Sequence, residues 1–243
     1  AICPWSCSCA PPTVKFRSDE NVNSDKKPVV FIGCSFTWGD ELDEDETVSA
    51  QFAKLTDRPV YNRGGRGWGL AQYLYQVRRD DFYTQFKEEP EYLFYVYHQD
   101  QNSRLDKFKI TPASKDFQPK YVSKKRHLVE QKPKFYDRLY SVQNFQYNYH
   151  CNKNKVDSEL VKLYFTEARD AIREHWKNTK LVILAYPMKR GSMSEELCQE
   201  LSKEGYTVLD LKKLVDVDLT DDKYSKSLSS KNEDKQPERK SKK

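Results

Sequence analysis

Ser35 is the side chain whose surroundings most suggest chemistry. It stands in the segment Val29-Val-Phe-Ile-Gly-Cys-Ser-Phe-Thr-Trp-Gly39. The apolar run between Pro28 and Gly33 reads as a buried strand, and a glycine directly before Cys34-Ser35 lets the chain turn sharply there. A serine in such a turn sits at the mouth of a sheet. Its own N–H, at the start of the next helix, can help hold an oxyanion while the hydroxyl attacks. The same pattern also fits a plain strand-to-helix turn in which a serine caps a helix. Two further polar clusters, Asn62–Gly69 and His98–Arg104, follow other apolar runs. Four histidines could serve as a base: His98, His127, His150 and His175. His98 closes a strand, His127 and His150 fall in a long insertion, and His175 falls on a helix, where a surface role is expected.

These groups need elements to position them. A helix over 46–56 and a short strand over 59–62 follow the first strand. After Gly64-Gly65-Arg66-Gly67 comes a helix over 69–79, with Leu70, Tyr73, Leu74 and Val77 at helical spacing. Pro90 introduces a strand over 92–97. A helix over 157–177 carries Leu160, Leu163, Tyr164, Ala168, Ala171 and Ile172 on one stripe. A strand over 181–186, a helix over 193–204 and a last strand over 206–211 complete the pattern. Strands that are continuously apolar and separated by helices imply a parallel sheet covered on both faces. With right-handed crossovers this is a three-layer α/β domain whose sites lie beyond the carboxyl ends of its strands. All three polar clusters fall at such ends.

Between Arg104 and Val156 the chain shows no clear period and is rich in lysine and in aromatic residues, among them Phe108, Phe117, Tyr121, Phe135, Tyr136, Tyr140, Phe145, Tyr147 and Tyr149. An insertion of this length reads as a lid or binding wall, with some helix near 134–141, or as a surface excursion. The expected organisation is thus a flexible arm over 1–27, an α/β domain over 28–220 with an insertion at 104–156, and a disordered basic tail over 221–243.

Composition bounds the function. A net charge of +5 is too small to argue for nucleic acid, although lysines and arginines crowd 104–155 and the tail while 39–47 is acidic. No apolar run approaches the length of a bilayer span. Three of the six cysteines lie in the first nine residues with no histidine beside them, so neither a zinc site nor a cofactor is expected. The segment from Ala1 has no charged region followed by a long apolar one. It suits a secreted chain with a leader remnant or an incomplete cytosolic one, and the compartment stays open.

Taken together, the motifs resemble the SGNH (GDSL-type) hydrolase family. Gly33-Cys34-Ser35-Phe-Thr-Trp-Gly39 resembles its first block, with Cys34 in place of the usual Asp and Ser35 at the nucleophile position. Asn62-Arg63-Gly64-Gly65-Arg66-Gly67 resembles the second, and Pro90 to Asp100 the strand that leads to the third; the similarity spans about residues 28–215. The resemblance implies a flavodoxin-like fold with five parallel strands. It also implies hydrolysis of esters of lipids or acylated sugars, with the amides of Ser35 and Gly67 holding the oxyanion. Two blocks depart from the family. Asp100 stands where a side-chain amide is usual, and an ionised carboxylate cannot donate to an oxyanion, so Gln99, Gln101 or Asn102 is left to do so. Near the end, Asp234-Lys235-Gln236-Pro237 carries Gln236 where the family has histidine, and glutamine cannot take the serine proton. Either another histidine, with His98 the candidate base, serves Ser35, or the chain is altered at its end, or the domain binds a glycan or acyl group without turning it over. The expected partner is a small-molecule or glycan ester.

Overall fold

The structure is a computed structural model that describes residues 18–105, 120–124, 127–131, 158–187 and 193–214. Five strands form one parallel sheet: β1 (Val29–Gly33), β2 (Val60–Gly64), β3 (Tyr92–Tyr97), β6 (Lys180–Ala185) and β7 (Tyr206–Asp210). Their spatial order is β2-β1-β3-β6-β7. This is the flavodoxin-like order, in which the chain steps from β1 to one side and then crosses to the other.

Alternation along each strand divides the core between the two faces of the sheet. Val30, Ile32, Leu93, Tyr95, Leu181 and Ile183 point to one face, in one apolar cluster with helices α3 (Leu70–Val77), α5 (Ser158–His175) and α6 (Glu195–Lys203). Val29, Phe31, Phe94, Val96 and Val182 point to the other and meet Ala53 and Phe52 of α2 (Val48–Thr56). The result is a three-layer α/β domain. Val161, Tyr164, Phe165, Ala168 and Ile172 of α5 are fully buried. Each large apolar side chain of this kind stabilises the fold by about 1.5–3 kcal/mol relative to exposure. Three short α-helices, α1 (Ser35–Trp38), α4 (Asp80–Tyr83) and α7 (Leu211–Leu214), and two 3-10 turns, Glu44–Glu46 and Gln99–Arg104, complete the set among the described residues.

The amino ends of the central strands are pinned together. Glu91, just before β3, accepts from Arg58 at 2.5 Å and from Lys180 at 3.2 Å. At the outer edge, Glu20 and Val60 exchange both backbone hydrogen bonds at 2.9 Å. Beside them Arg63 grips both carboxylate oxygens of Asp19, at 2.6 and 3.1 Å. Residues 18–27, part of the stretch read as an arm, are therefore held against the sheet at these points.

Within the insertion, β4 (Lys120–Lys124) and β5 (His127–Gln131) pair as an antiparallel hairpin. Arg78 donates to the Leu128 carbonyl at 2.9 Å and to Glu167 at 2.5 Å. Tyr121 is buried edge-on against Tyr164, 5.9 Å between ring centres. Here Tyr121 is core, and not part of a binding wall. The other aromatic residues of the insertion, the helix expected near 134–141, His150 and the tail over 221–243 lie outside the described residues.

Candidate functional site

Register decides what shares the carboxyl edge of the sheet. Gly33 of β1 lies level with Gly64 of β2 and with Val96 of β3, and Val96 is level with Leu184 of β6. Two residues beyond that row stand Ser35, Arg66, His98 and Tyr186. The three polar clusters thus converge where β1 is flanked by β2 on one side and β3 on the other, the switch point at which open α/β sheets place ligands.

The turn α1 sits low on this edge because two glycines let it. A Cβ on Gly64 would lie 2.6 Å from the Trp38 amide nitrogen and 3.0 Å from the Thr37 carbonyl carbon, both backbone atoms. A side chain at position 64 would therefore push α1 outward. A Cβ on Gly33 would run into the Thr37 hydroxyl. Asn62 is wholly buried and braces the same turn: its Nδ2 donates to the Thr37 carbonyl and to Ser49 Oγ, both at 2.8 Å, and its Oδ1 accepts from the Gly64 amide at 3.0 Å. Ser35, first in α1, is half-buried, and its amide belongs to the first turn, whose N–H groups have no partner within a helix. In the adjoining loop, the Gly65 amide already donates to the Gly33 carbonyl at 3.0 Å. Gly67 takes φ +75°, a left-handed conformation that a side chain would strain, and is half-buried.

His98 follows β3 and is 2% exposed. Its Nε2 lies 3.1 Å from Cys34 Sγ, and Cys34 is wholly buried. Phe36 covers the pair from outside, its ring centre 5.0 Å from that of His98 and 5.3 Å from that of Tyr186. Phe36 keeps 42% of its surface exposed. Burial raises the Tyr186 phenol above its ordinary value. Across the mouth, the Arg66 guanidinium lies 4.5 Å from the Trp38 ring centre and pairs with Asp40 at 2.6 Å.

The groups considered as side-chain donors to an oxyanion separate clearly. Gln101 is wholly buried: its Nε2 donates to the Val96 carbonyl at 3.0 Å and its Oε1 accepts from Tyr95 at 2.6 Å. Asn102 donates to the Tyr97 hydroxyl at 2.6 Å. Burial pushes that phenol up to about 12, against a smaller opposing effect of the Asn102 bond. Gln99 is half-buried in the turn that begins after His98, and Asp100 occupies the next position of that turn. Asp234 and Gln236 lie outside the described residues.

The other described histidines stand elsewhere. His127 meets Glu167 at 3.0 Å on the hairpin, and His175 stacks on Tyr83 with ring centres 3.8 Å apart. His175 ends α5 just before β6 begins, so it belongs to the opposite edge of the sheet. Among the described residues no three His, Cys, Asp or Glu side chains gather as metal ligands would, and no helix is long and apolar enough to cross a membrane. The Cys34–His98 contact and the Asn62 brace were not part of the sequence reading. The paired glycines at the ends of β1 and β2 were its one visible signal.

No family model and no curated protein matches the sequence. Among solved structures the chain is similar to AlinE4, an SGNH-hydrolase family esterase, at 9% identity over 88% of this chain and 98% of that one, with a TM-score of 0.47. It is similar also to a carbohydrate esterase family 2 enzyme with a carbohydrate binding domain from Corynascus thermopiles (Myceliophthora fergusii), at 12% identity over 77% and 57% of the two chains and a TM-score of 0.46. A third is the acetyl xylan esterase Est2A from Butyrivibrio proteoclasticus, at 10% identity over 76% and 54%, with a TM-score of 0.42. At these identities the likeness is one of fold alone.

Proposed function

We propose that this chain is an ester hydrolase of the SGNH type acting on an acylated carbohydrate or a lipid ester. The observation that carries the reading is the register: Ser35, the Gly67 turn and His98 all stand just beyond one residue row, on adjacent strands at the switch point. In this reading Ser35 Oγ attacks the acyl carbon and its proton passes to His98. The carbonyl oxygen gathers charge toward the amides of Ser35 and Gly67, and the alcohol leaves with the proton from His98. Water then releases the acyl group by the same steps. Gln99 is the remaining side-chain amide for the oxyanion, since those of Gln101 and Asn102 are engaged. The exposed Phe36 face beside Tyr186 suits the apolar side of an acyl chain or a sugar ring. A fluorophosphonate probe is expected to label the folded protein, and Ser35→Ala to abolish labelling. An unlabelled parent protein would overturn the reading.

One observation favours a second reading, a binding domain without turnover. His98 Nε2, the nitrogen a base would use, is occupied by Cys34 at 3.1 Å. Glycan-array binding that survives Ser35→Ala, with no hydrolysis of p-nitrophenyl acetate by the parent, would select it.

A further inference from the structure

Cys34 and His98 meet side chain to side chain in a place that solvent does not reach, the one wholly buried and the other 2% exposed. Their contact follows from topology, because Cys34 continues β1 directly and His98 continues its neighbour β3. Three proton arrangements are open to such a pair. A thiolate facing an imidazolium would place two charges in a dry site, where their desolvation outweighs their attraction unless further groups support both. An imidazole N–H pointing at sulfur makes a weak bond, because a thiol sulfur is a poor acceptor. The third arrangement, S–H pointing at the imidazole lone pair, keeps both groups neutral and gives the proton to the better acceptor of the two, the imidazole nitrogen. The hydrogen bond made by one ring nitrogen then fixes which nitrogen carries the proton.

We propose that Cys34 is a positioning residue for His98: its thiol donates to Nε2 and holds the imidazole as the Nδ1–H tautomer. The catalytic meaning of this rests on the reading of His98 as the base for Ser35, but the tautomer itself does not. In the resting protein the lone pair that a base needs is turned to Cys34, and His98 serves Ser35 only after releasing the thiol. The titratable groups near His98 include the thiol and, across the Phe36 ring, the Tyr186 phenol; Asp100 follows two positions along the chain.

Histidine-selective 15N labelling tests this through two-bond 1H–15N correlations, which distinguish the two neutral tautomers and the imidazolium. The His98 signals are assigned by their loss in His98→Gln. The parent and Cys34→Ser are expected to show the Nδ1–H pattern, and Cys34→Ala the Nε2–H pattern. An Nε2–H or imidazolium pattern in the parent would overturn the proposal, as would a Cys34→Ala spectrum identical to the parent's. Should Cys34→Ala not fold, as circular dichroism would show, the Raman S–H stretch of the parent decides, with Cys34→Ser as the difference control. A band lowered by hydrogen bonding is expected, and a band at the frequency of an unbonded thiol refutes the donor role. Failure of fluorophosphonate labelling would remove the hydrolase reading and leave these spectra unchanged, so the two failures are distinguishable.

Discussion

Asn62 shows how a single buried amide can fix the turn that holds Ser35. Its three hydrogen bonds satisfy the Thr37 carbonyl, the Ser49 hydroxyl and the Gly64 amide, none of which can turn to water. Replacing it by alanine strands the Thr37 carbonyl and the Gly64 amide, while the Ser49 hydroxyl keeps its bond to Thr47 Oγ1 at 3.1 Å; each unsatisfied buried group costs about 1–3 kcal/mol. Asn62→Ala is therefore expected to lower stability by roughly 3 kcal/mol, allowing for partial relaxation, read as a fall in the urea midpoint. Gly64→Ala tests the neighbouring contact. Its Cβ would press on the backbone of α1, which must move and carry Ser35 with it. The rate of fluorophosphonate labelling is expected to drop on the order of tenfold or more, since ångström-scale misplacement of a reacting group is costly. Unchanged labelling would mean that α1 yields without displacing the serine.

At the scale of elements, the β4–β5 hairpin depends on tertiary support. Its strands are short, and an isolated two-stranded hairpin is marginal in water. Glu167 of α5 accepts from the Leu128 amide at 3.3 Å, from Arg78 and from His127, so one carboxylate ties the hairpin to two helices. Glu167→Ala is expected to speed hydrogen exchange at the Leu128 amide, while exchange in β1 and β3 stays slow. This dependence explains what the sequence did and did not reveal. The three central strands β1, β3 and β6 were legible because they are largely buried on both faces and read as apolar runs, while the edge strands β2 and β7 carry shorter apolar stretches. The helices over 70–77 and 158–175 were legible from their stripes, with ends within two residues of those expected. The hairpin was not, because Lys120-Tyr-Val-Ser-Lys and His127-Leu-Val-Glu-Gln hold few apolar residues and the two residues between them, Lys125 and Arg126, carry no Gly, Asn, Asp or Pro turn signal. The site divides in the same way. Ser35 and the glycine turn were visible as local motifs. The partner of Cys34 was not, because only the pairing of β1 with β3 brings position 98 beside position 34.

For the molecule as a whole, stability and the site draw on opposite edges of the sheet. At the amino edge, the bond from Arg58, and then that from Lys180, holds the Glu91 carboxyl below its ordinary value near 4.5. A carboxyl with a lowered folded value contributes stability that is fully present above its unfolded value. That contribution is lost as pH falls through the folded value. Glu89 behaves likewise: burial raises its carboxyl, but the Asn178 and Thr179 donors outweigh burial and the net shift is downward. The urea midpoint of the parent is therefore expected to fall between about pH 5 and pH 3. Glu91→Gln should flatten part of that fall and leave the plateau above it lower. Parallel pH curves for the two proteins would show that Glu91 does not participate.

The strand order also has a consequence for how the chain could be divided. Ser35, Gly67 and His98 all come from the stretch that builds β1, β2 and β3, while β6 and β7 only extend the sheet from the far side of β3. A fragment ending after residue 105 would carry every described member of the site but Tyr186, yet would leave β3 with a bare hydrogen-bonding rim and α3 without its α5 partner. Such a fragment should stay silent toward a serine-directed probe until the complementary piece supplies β6. The two halves could then act as a split reporter whose signal is the closing of one strand pair.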